Sequence, residues 1–322
     1  MLDSVFIHFG FHKCGSTAIQ NGLDALSERL IDDRIFYGRS AQGIFGSFFA
    51  DSRTDFFHNF AFGRLDQTVN RSEDSAYMSS LWADIEESNC RTVAFSYEGL
   101  INLSESEVYS MAEYFFDRAD RVTAVCYCRH PLSFAPSEVS QRARSGVSTA
   151  IICDDPPILE FEEYLPKFVG AFGKANMVVR DVHRQALLRQ NVIADFLSLL
   201  PVDSDLVERA PVINPAITRA LPLEAVRLAE SYAALRDPNQ PMAQFFSPKW
   251  QALLSAIEGV PLRLTDQERT FLLDRSSRHL RYLEREFDLQ LLEPEEPSED
   301  EAPFGRPFLD SMARAVKDAL RE

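Results

Sequence analysis

From the N-terminus to about residue 200, short apolar runs alternate with stretches whose apolar residues recur every three or four positions. Val5 to Phe9 reads as a strand, followed by a polar, glycine-bearing turn. Thr17 to Leu30 then reads as a helix, because Ile19, Leu23, Leu26 and Leu30 fall on one face. The pattern continues with a helix near Ala76 to Glu87, a strand from Arg91 to Ser96, a helix from Glu105 to Asp117 and an apolar strand from Val122 to Cys128. Pro131 ends that strand, and a helix opens near Ser133. A further helix covers Leu159 to Phe172, and Met177-Val178-Val179 reads as a short buried strand. From Val192 onward the pattern is mainly helical and includes Asp266 to Phe287. Apolar strands separated by amphipathic helices predict an α/β fold: a central parallel sheet flanked by helices, with a mainly helical C-terminal part.

Two stretches interrupt this alternation. Residues 38–75 are irregular and rich in Phe, Gly, Asp, Ser and Arg, including Phe45, Phe48, Phe49, Phe56, Phe57, Phe60 and Phe62. So many aromatics argue for a folded insertion on the substrate side of the domain, fixed to the core by its phenylalanines. Residues 293–303 carry three prolines and dense acid, the composition of an exposed linker. Beyond it, Phe308, Leu309, Met312, Val316, Ala319 and Leu320 recur at helical spacing within 304–322. That helix is expected to dock on its own domain or on a partner, a second copy of the chain included. Residues 1–292 are thus expected to form the functional domain.

The net charge is −16, and six of the acids fall between residues 293 and 301. A chain this acidic is a poor nucleic-acid binder, since phosphate neutralisation drives that affinity. Any anion must be held where Lys and Arg converge. No run of eighteen apolar residues occurs, so no membrane span is expected. Cys14, Cys90, Cys126, Cys128 and Cys153 form no CxxC pair or zinc-finger spacing, which fits reduced thiols in a cytoplasmic protein.

The chemistry concentrates in Gly10-Phe11-His12-Lys13-Cys14-Gly15-Ser16-Thr17, with Ala18 following, between the first strand and the first helix. Backbone N–H groups and a helix N-terminus both point at a ligand placed there. Glycines let the chain curl around phosphate oxygens, and Ser16 and Thr17 add hydroxyl donors. The spacing of Gly10 and Gly15 is that of a Walker A loop, yet Gly15 is followed by Ser16 and Thr17 rather than by Lys. The lysine stands upstream, at Lys13. No later apolar strand ends in a convincing magnesium-binding Asp, which weakens a phosphoryl-transfer reading.

The stretch from Phe6 through Lys13 and Thr17 to Gln20 resembles the first motif of sulfotransferases that use 3′-phosphoadenosine 5′-phosphosulfate (PAPS). It is most similar to the bacterial and carbohydrate-modifying branch, whose loops read much like H-I-G-x-x-K-T-G-T-T-x-x-Q. A second motif follows in the same order: the strand Val122 to Cys128 runs into Arg129, and Ser137 stands eight residues on. Weaker likenesses are Val93-Ala94-Phe95-Ser96-Tyr97-Glu98, a strand ending in Ser-x-Glu, and Met177 to Arg180 followed by Val192 to Leu197.

The resemblance implies a P-loop-NTPase-like sheet and a sulfuryl transfer from PAPS that releases adenosine 3′,5′-bisphosphate and requires no metal. It implies that Gly10 to Ala18 hold the 5′-phosphosulfate and that Lys13 stabilises the bridging oxygen. Arg129 and Ser137 would bind the 3′-phosphate, and Arg180 is a candidate for stacking on adenine. The base candidate is Glu98, with His12 and then His58 behind it. The acceptor class is a hydroxyl or amine group of a glycan or small metabolite, and Arg142 and Arg144 are candidates to meet an anionic one. Two other readings compete: a magnesium-dependent P-loop kinase or nucleotidase, and an inactive relative serving as an interaction protein.

Overall fold

The computed structural model describes residues 1–38, 43–51, 66–145, 157–212, 221–235, 248–259 and 262–294. His58, Cys153, Phe56, Phe57, Phe60, Phe62, most of the 293–303 linker and the 304–322 helix lie outside the described residues. Contacts divide the chain into two compact units. The first comprises Met1–Arg129, Glu160–Ile213 and His279–Leu292; the second comprises His130–Leu159, Asn214–Arg278 and Glu293–Glu322.

The first unit is built on a five-stranded, all-parallel sheet: β1 (Ser4–Gly10), β2 (Ile35–Gly38), β3 (Thr92–Ser96), β4 (Val122–Cys128) and β5 (Met177–Asp181). Their order is β2-β3-β1-β4-β5. β1, β3 and β4 are near-continuous apolar runs because helices cover both faces of a parallel sheet. β1 and β4 are neighbours, and the chain leaves them toward opposite edges, to β2 and to β5. Such a switch opens a crevice beyond the carboxyl ends of the strands.

The helices of this unit follow in chain order. They are α1 (Ser16–Ala25), α2 (Ser27–Asp32), α3 (Ile44–Phe49), α4 (Gln67–Ser88) and α5 (Glu105–Phe116). After α6 (Pro131–Arg144), which belongs to the second unit, come α7 (Phe161–Phe172), α8 (Val192–Leu197) and α9 (Ser204–Glu208). The single helix predicted over 17–30 is two helices, broken at Leu26 (φ −106°, ψ 4°) with the apolar stripe carried through the break. The segment predicted to be irregular contains α3 and the first nine residues of α4. Here tertiary packing overrides a weak local pattern: Ser47 donates to the buried Asp74 at 2.6 Å, and Phe45 stacks on Phe95 with ring centroids 4.7 Å apart. Phe45 and Phe49 also meet Phe115, so these two phenylalanines anchor the insertion to the core.

The described residues of the second unit are mainly helical. Val139 and Ala143 of α6 pack with Leu221, Ala225, Val226 and Ala229 of and before α10 (Leu223–Leu235), and with Leu254 and Ile257 of and after α11 (Pro248–Ala256). Leu132 and Ala135 of α6 pack with Leu272 of α12 (Asp266–Phe287), whose last turns belong to the first unit. Pro131 opens α6 two residues earlier than predicted, because proline is preset for the first helical position and His130 Nδ1 accepts from the Leu132 N–H. Among the described residues no helix is long and apolar enough to cross a membrane.

Candidate active site: the loop between β1 and α1

The loop departs from β1 at Gly10, whose φ is 150° and where an added Cβ would lie 3.3 Å from the Cys126 Sγ. Phe11 is buried edge-on against Phe161 at 5.1 Å and Tyr164 at 6.0 Å, both on α7, and this pins the start of the loop. His12 is exposed and Lys13 half-buried. Lys13 is left-handed (φ 63°), a conformation costly for a residue with a Cβ and one that recurs at ligand-holding turns. Gly15 is also left-handed (φ 93°), with Val182 and Val192 side chains 3.2 and 3.3 Å from the position of a Cβ. Only glycine combines that φ with so close an approach.

Gly15 caps α1 without any side-chain hydrogen bond; the Ala18 N–H returns to the Gly15 carbonyl at 3.0 Å, while the Ser16 and Thr17 N–H groups that open the helix have no intrahelical acceptor. Ser16 is buried, and its hydroxyl has no hydrogen-bond partner among the described residues. A buried hydroxyl without a partner is costly, and one at a helix N-terminus whose first N–H groups lack an intrahelical acceptor suits an anionic oxygen. Thr17 is exposed and Ala18 half-buried on the same turn. Cys14 is buried, and burial raises its pKa well above the usual thiol value despite the opposing pull of Arg129. It fills space beneath the loop as a neutral thiol rather than acting as a nucleophile.

Arg129 follows β4 as Gly10 ends β1, and its Nη1 donates to the Lys13 carbonyl at 2.9 Å. Burial is the first cause lowering the Arg129 pKa, partly offset by Cys14. A desolvated guanidinium gains from a bound anion. The loop and the strand-end arginine, distant in sequence, therefore meet. Ser137 is half-buried in α6, in the second unit.

Glu98 opens a 3-10 turn (Glu98–Asn102) one residue beyond the end of β3, and its Oε2 accepts from Gln20 Nε2 of α1 at 2.8 Å. The same amide reaches the Ser96 carbonyl at 3.4 Å. Gln20 thus fixes Glu98 to the helix that the loop opens. It is the residue that reasoning from sequence left without a role, and its signal was its place at the end of the first motif. Lys167 of α7 holds the other end of the turn, donating to the Ile101 and Leu103 carbonyls at 2.6 and 2.5 Å. Burial lowers its pKa to about 8, with Glu107 acting in the opposite sense.

Arg180 and Tyr127 sit side by side in register on β5 and β4, and both bond the buried Asp195 of α8. Arg180 Nη1 and the Tyr127 hydroxyl each donate to its Oδ1 at 2.7 Å, and the Leu188 N–H donates to Oδ2 at 2.9 Å. One face of Arg180 is thereby committed to Asp195, while its side chain stays about a third exposed, at 35%. Behind the loop, His8 is fully buried with Nδ1 2.7 Å from the Ser96 hydroxyl. In the second unit Arg142 pairs with Glu138 at 3.4 Å, and burial lowers the Arg144 pKa.

No protein-family description matches this chain, and no curated protein or solved structure matches it significantly.

Proposed function

We propose that the chain is a PAPS-dependent sulfotransferase of P-loop-type fold, acting on a hydroxyl or amine of a glycan or small metabolite in the cytoplasm. The observation that supports this reading best is the Arg129–Lys13 contact, which sets a desolvated guanidinium against a lysine-bearing loop. The loop also fits the donor's phosphosulfate group chemically: the hydroxyl of Ser16 and the first N–H groups of α1 are the donors such a group needs. When bound, PAPS supplies the sulfuryl group and leaves as adenosine 3′,5′-bisphosphate.

In this reading Gly10 to Ala18 enclose the phosphosulfate. Lys13 stabilises the charge that grows on the bridging oxygen, a task that elsewhere falls to magnesium. Arg129 offers a planar fork to the 3′-phosphate, with Ser137 as the second donor expected from the motif. Arg180 remains the candidate against the adenine. Glu98, held by Gln20, takes the proton of the acceptor hydroxyl, and His12 at the exposed rim of the loop is the alternative base.

Transfer of radiolabelled sulfate from PAPS to a panel of sugars, phenols and amines tests the reading. The expected outcome is a labelled acceptor with the native chain, and at least a hundredfold less with Lys13→Ala, the scale of losing one charge-stabilising donor. Label transfer that Lys13→Ala leaves intact would contradict the assignment.

A further inference from the structure

At the opposite edge of the first unit, by the residues that lead into β1 and β3, lies a cavity of about 830 Å³. That volume is within the range of small-molecule sites. Its wall includes Phe48, Met78, Trp82, Ile85, Tyr114 and Arg118, contributed by α3, one face of α4, the end of α5 and the turn that follows it. β1 separates it from the Lys13 loop by seven residues, about 20 Å at the rise of a strand. It is therefore not part of the proposed sulfuryl-transfer site.

The polar groups of this cavity are prearranged. The Arg118 guanidinium lies 3.7 Å from the centroid of the Tyr114 ring and 5.6 Å from that of Trp82. Its Nη1 donates to the Tyr114 carbonyl at 2.7 Å. The indole N–H of Trp82 donates to the Tyr114 hydroxyl at 2.6 Å, which leaves the phenolic proton to give. Arg118 has no carboxylate partner among the described residues, whereas Arg91, also at the cavity, is paired with Asp3. The carboxylates of Glu86 and Asp117, which also line the cavity, are on exposed residues and remain solvated. A half-buried guanidinium fixed on an aromatic face, with free donors on its outer edge, is a fork for a carboxylate. The Trp82 ring, which lines the same cavity, offers a planar stacking surface.

We propose that this cavity binds a small planar aromatic carboxylate, with the carboxylate on Arg118 and the Tyr114 hydroxyl and the ring against Trp82. The site is independent of the sulfotransferase reading, and neither stands or falls with the other.

The chain has two tryptophans, so a Trp250→Phe protein reports Trp82 fluorescence alone. Titrating the full chain with benzoate is expected to give a saturable change in that emission. Benzamide, which lacks the charge, and cyclohexanecarboxylate, which lacks the flat ring, should bind at least about tenfold more weakly, the scale of one charged hydrogen bond. Arg118→Leu should abolish the response. Should that variant fold poorly, Tyr114→Phe keeps the ring, loses the proton and is expected to weaken binding several-fold. Adenosine 3′,5′-bisphosphate should not displace benzoate. Absence of saturation at millimolar benzoate, equal binding of benzamide, an unchanged response in Arg118→Leu or Tyr114→Phe, or displacement by the bisphosphate would each overturn the proposal.

Discussion

Arg129 Nη1 donates to the main-chain carbonyl of Lys13 at 2.9 Å, across 116 positions of sequence. The two residues follow the neighbouring strands β4 and β1, where the chain turns toward opposite edges of the sheet. The bond supports a lysine held in a left-handed conformation, and so helps to set where its side chain leaves the loop. Arg129→Lys keeps the charge and loses the planar fork. It is expected to lower stability by about 1 kcal/mol and to weaken adenosine 3′,5′-bisphosphate binding about tenfold. Chemical denaturation and calorimetric titration of the same protein check both effects.

Gly15 predicts a second outcome. Gly15→Ala places a Cβ on a left-handed residue and presses it toward Val182 and Val192. The expected cost is roughly 1–2 kcal/mol, read as a lower urea midpoint with an unchanged slope. An unaffected midpoint would mean that the loop adopts another backbone path.

His8 gives the pH dependence. Burial lowers its pKa from 6.5 to about 3, so the unfolded chain binds a proton that the folded chain does not. Its contribution is whole above pH 6.5 and is lost progressively as the pH falls from there toward 3. Stability should therefore decline in this window, with His8 contributing up to about 1.4 kcal/mol per pH unit. His8→Gln should be less stable at neutral pH and should show a shallower acid slope. Identical slopes in urea unfolding of the two proteins would exclude His8 as a source of the acid sensitivity.

Phe45 tests the insertion. Its ring is buried against Phe95, Phe49 and Phe115. Phe45→Ala should cost about 3–5 kcal/mol, as expected for emptying a core aromatic site. A loss below about 1 kcal/mol would show that α3 is not part of the core.

Much of the sheet was readable because its central strands are apolar runs bounded by turn residues. β4 and α12 have the predicted limits, and β1 extends one residue further at each end. β2 was missed, since Ile35-Phe36-Tyr37-Gly38 is too short to show alternation and is defined by its pairing with β3. The start of α4 was hidden by its polar composition, although Asp66 caps it by accepting from Thr68 and Val69. Leu26 breaks the first predicted helix without disturbing the periodicity, so no pattern in the sequence marks it. At the site, the loop position and the strand-end arginine were both legible as spacing. Their contact was not, because it is made to a carbonyl whose direction depends on the left-handed turn at Lys13. The Gln20–Glu98 bond and the use of Arg180 by Asp195 likewise depend on which side chains the fold brings face to face.

The most direct measurement compares thermal stabilisation by adenosine 3′,5′-bisphosphate with that by ATP plus magnesium. A ligand at a hundred times its dissociation constant stabilises a folded protein by about 2.7 kcal/mol, which a melting curve resolves readily. The sulfotransferase reading predicts a rise in melting temperature with the bisphosphate, little or none with ATP and magnesium, and loss of the rise in Arg129→Ala. A stronger response to ATP and magnesium, or no response to either nucleotide, would contradict it.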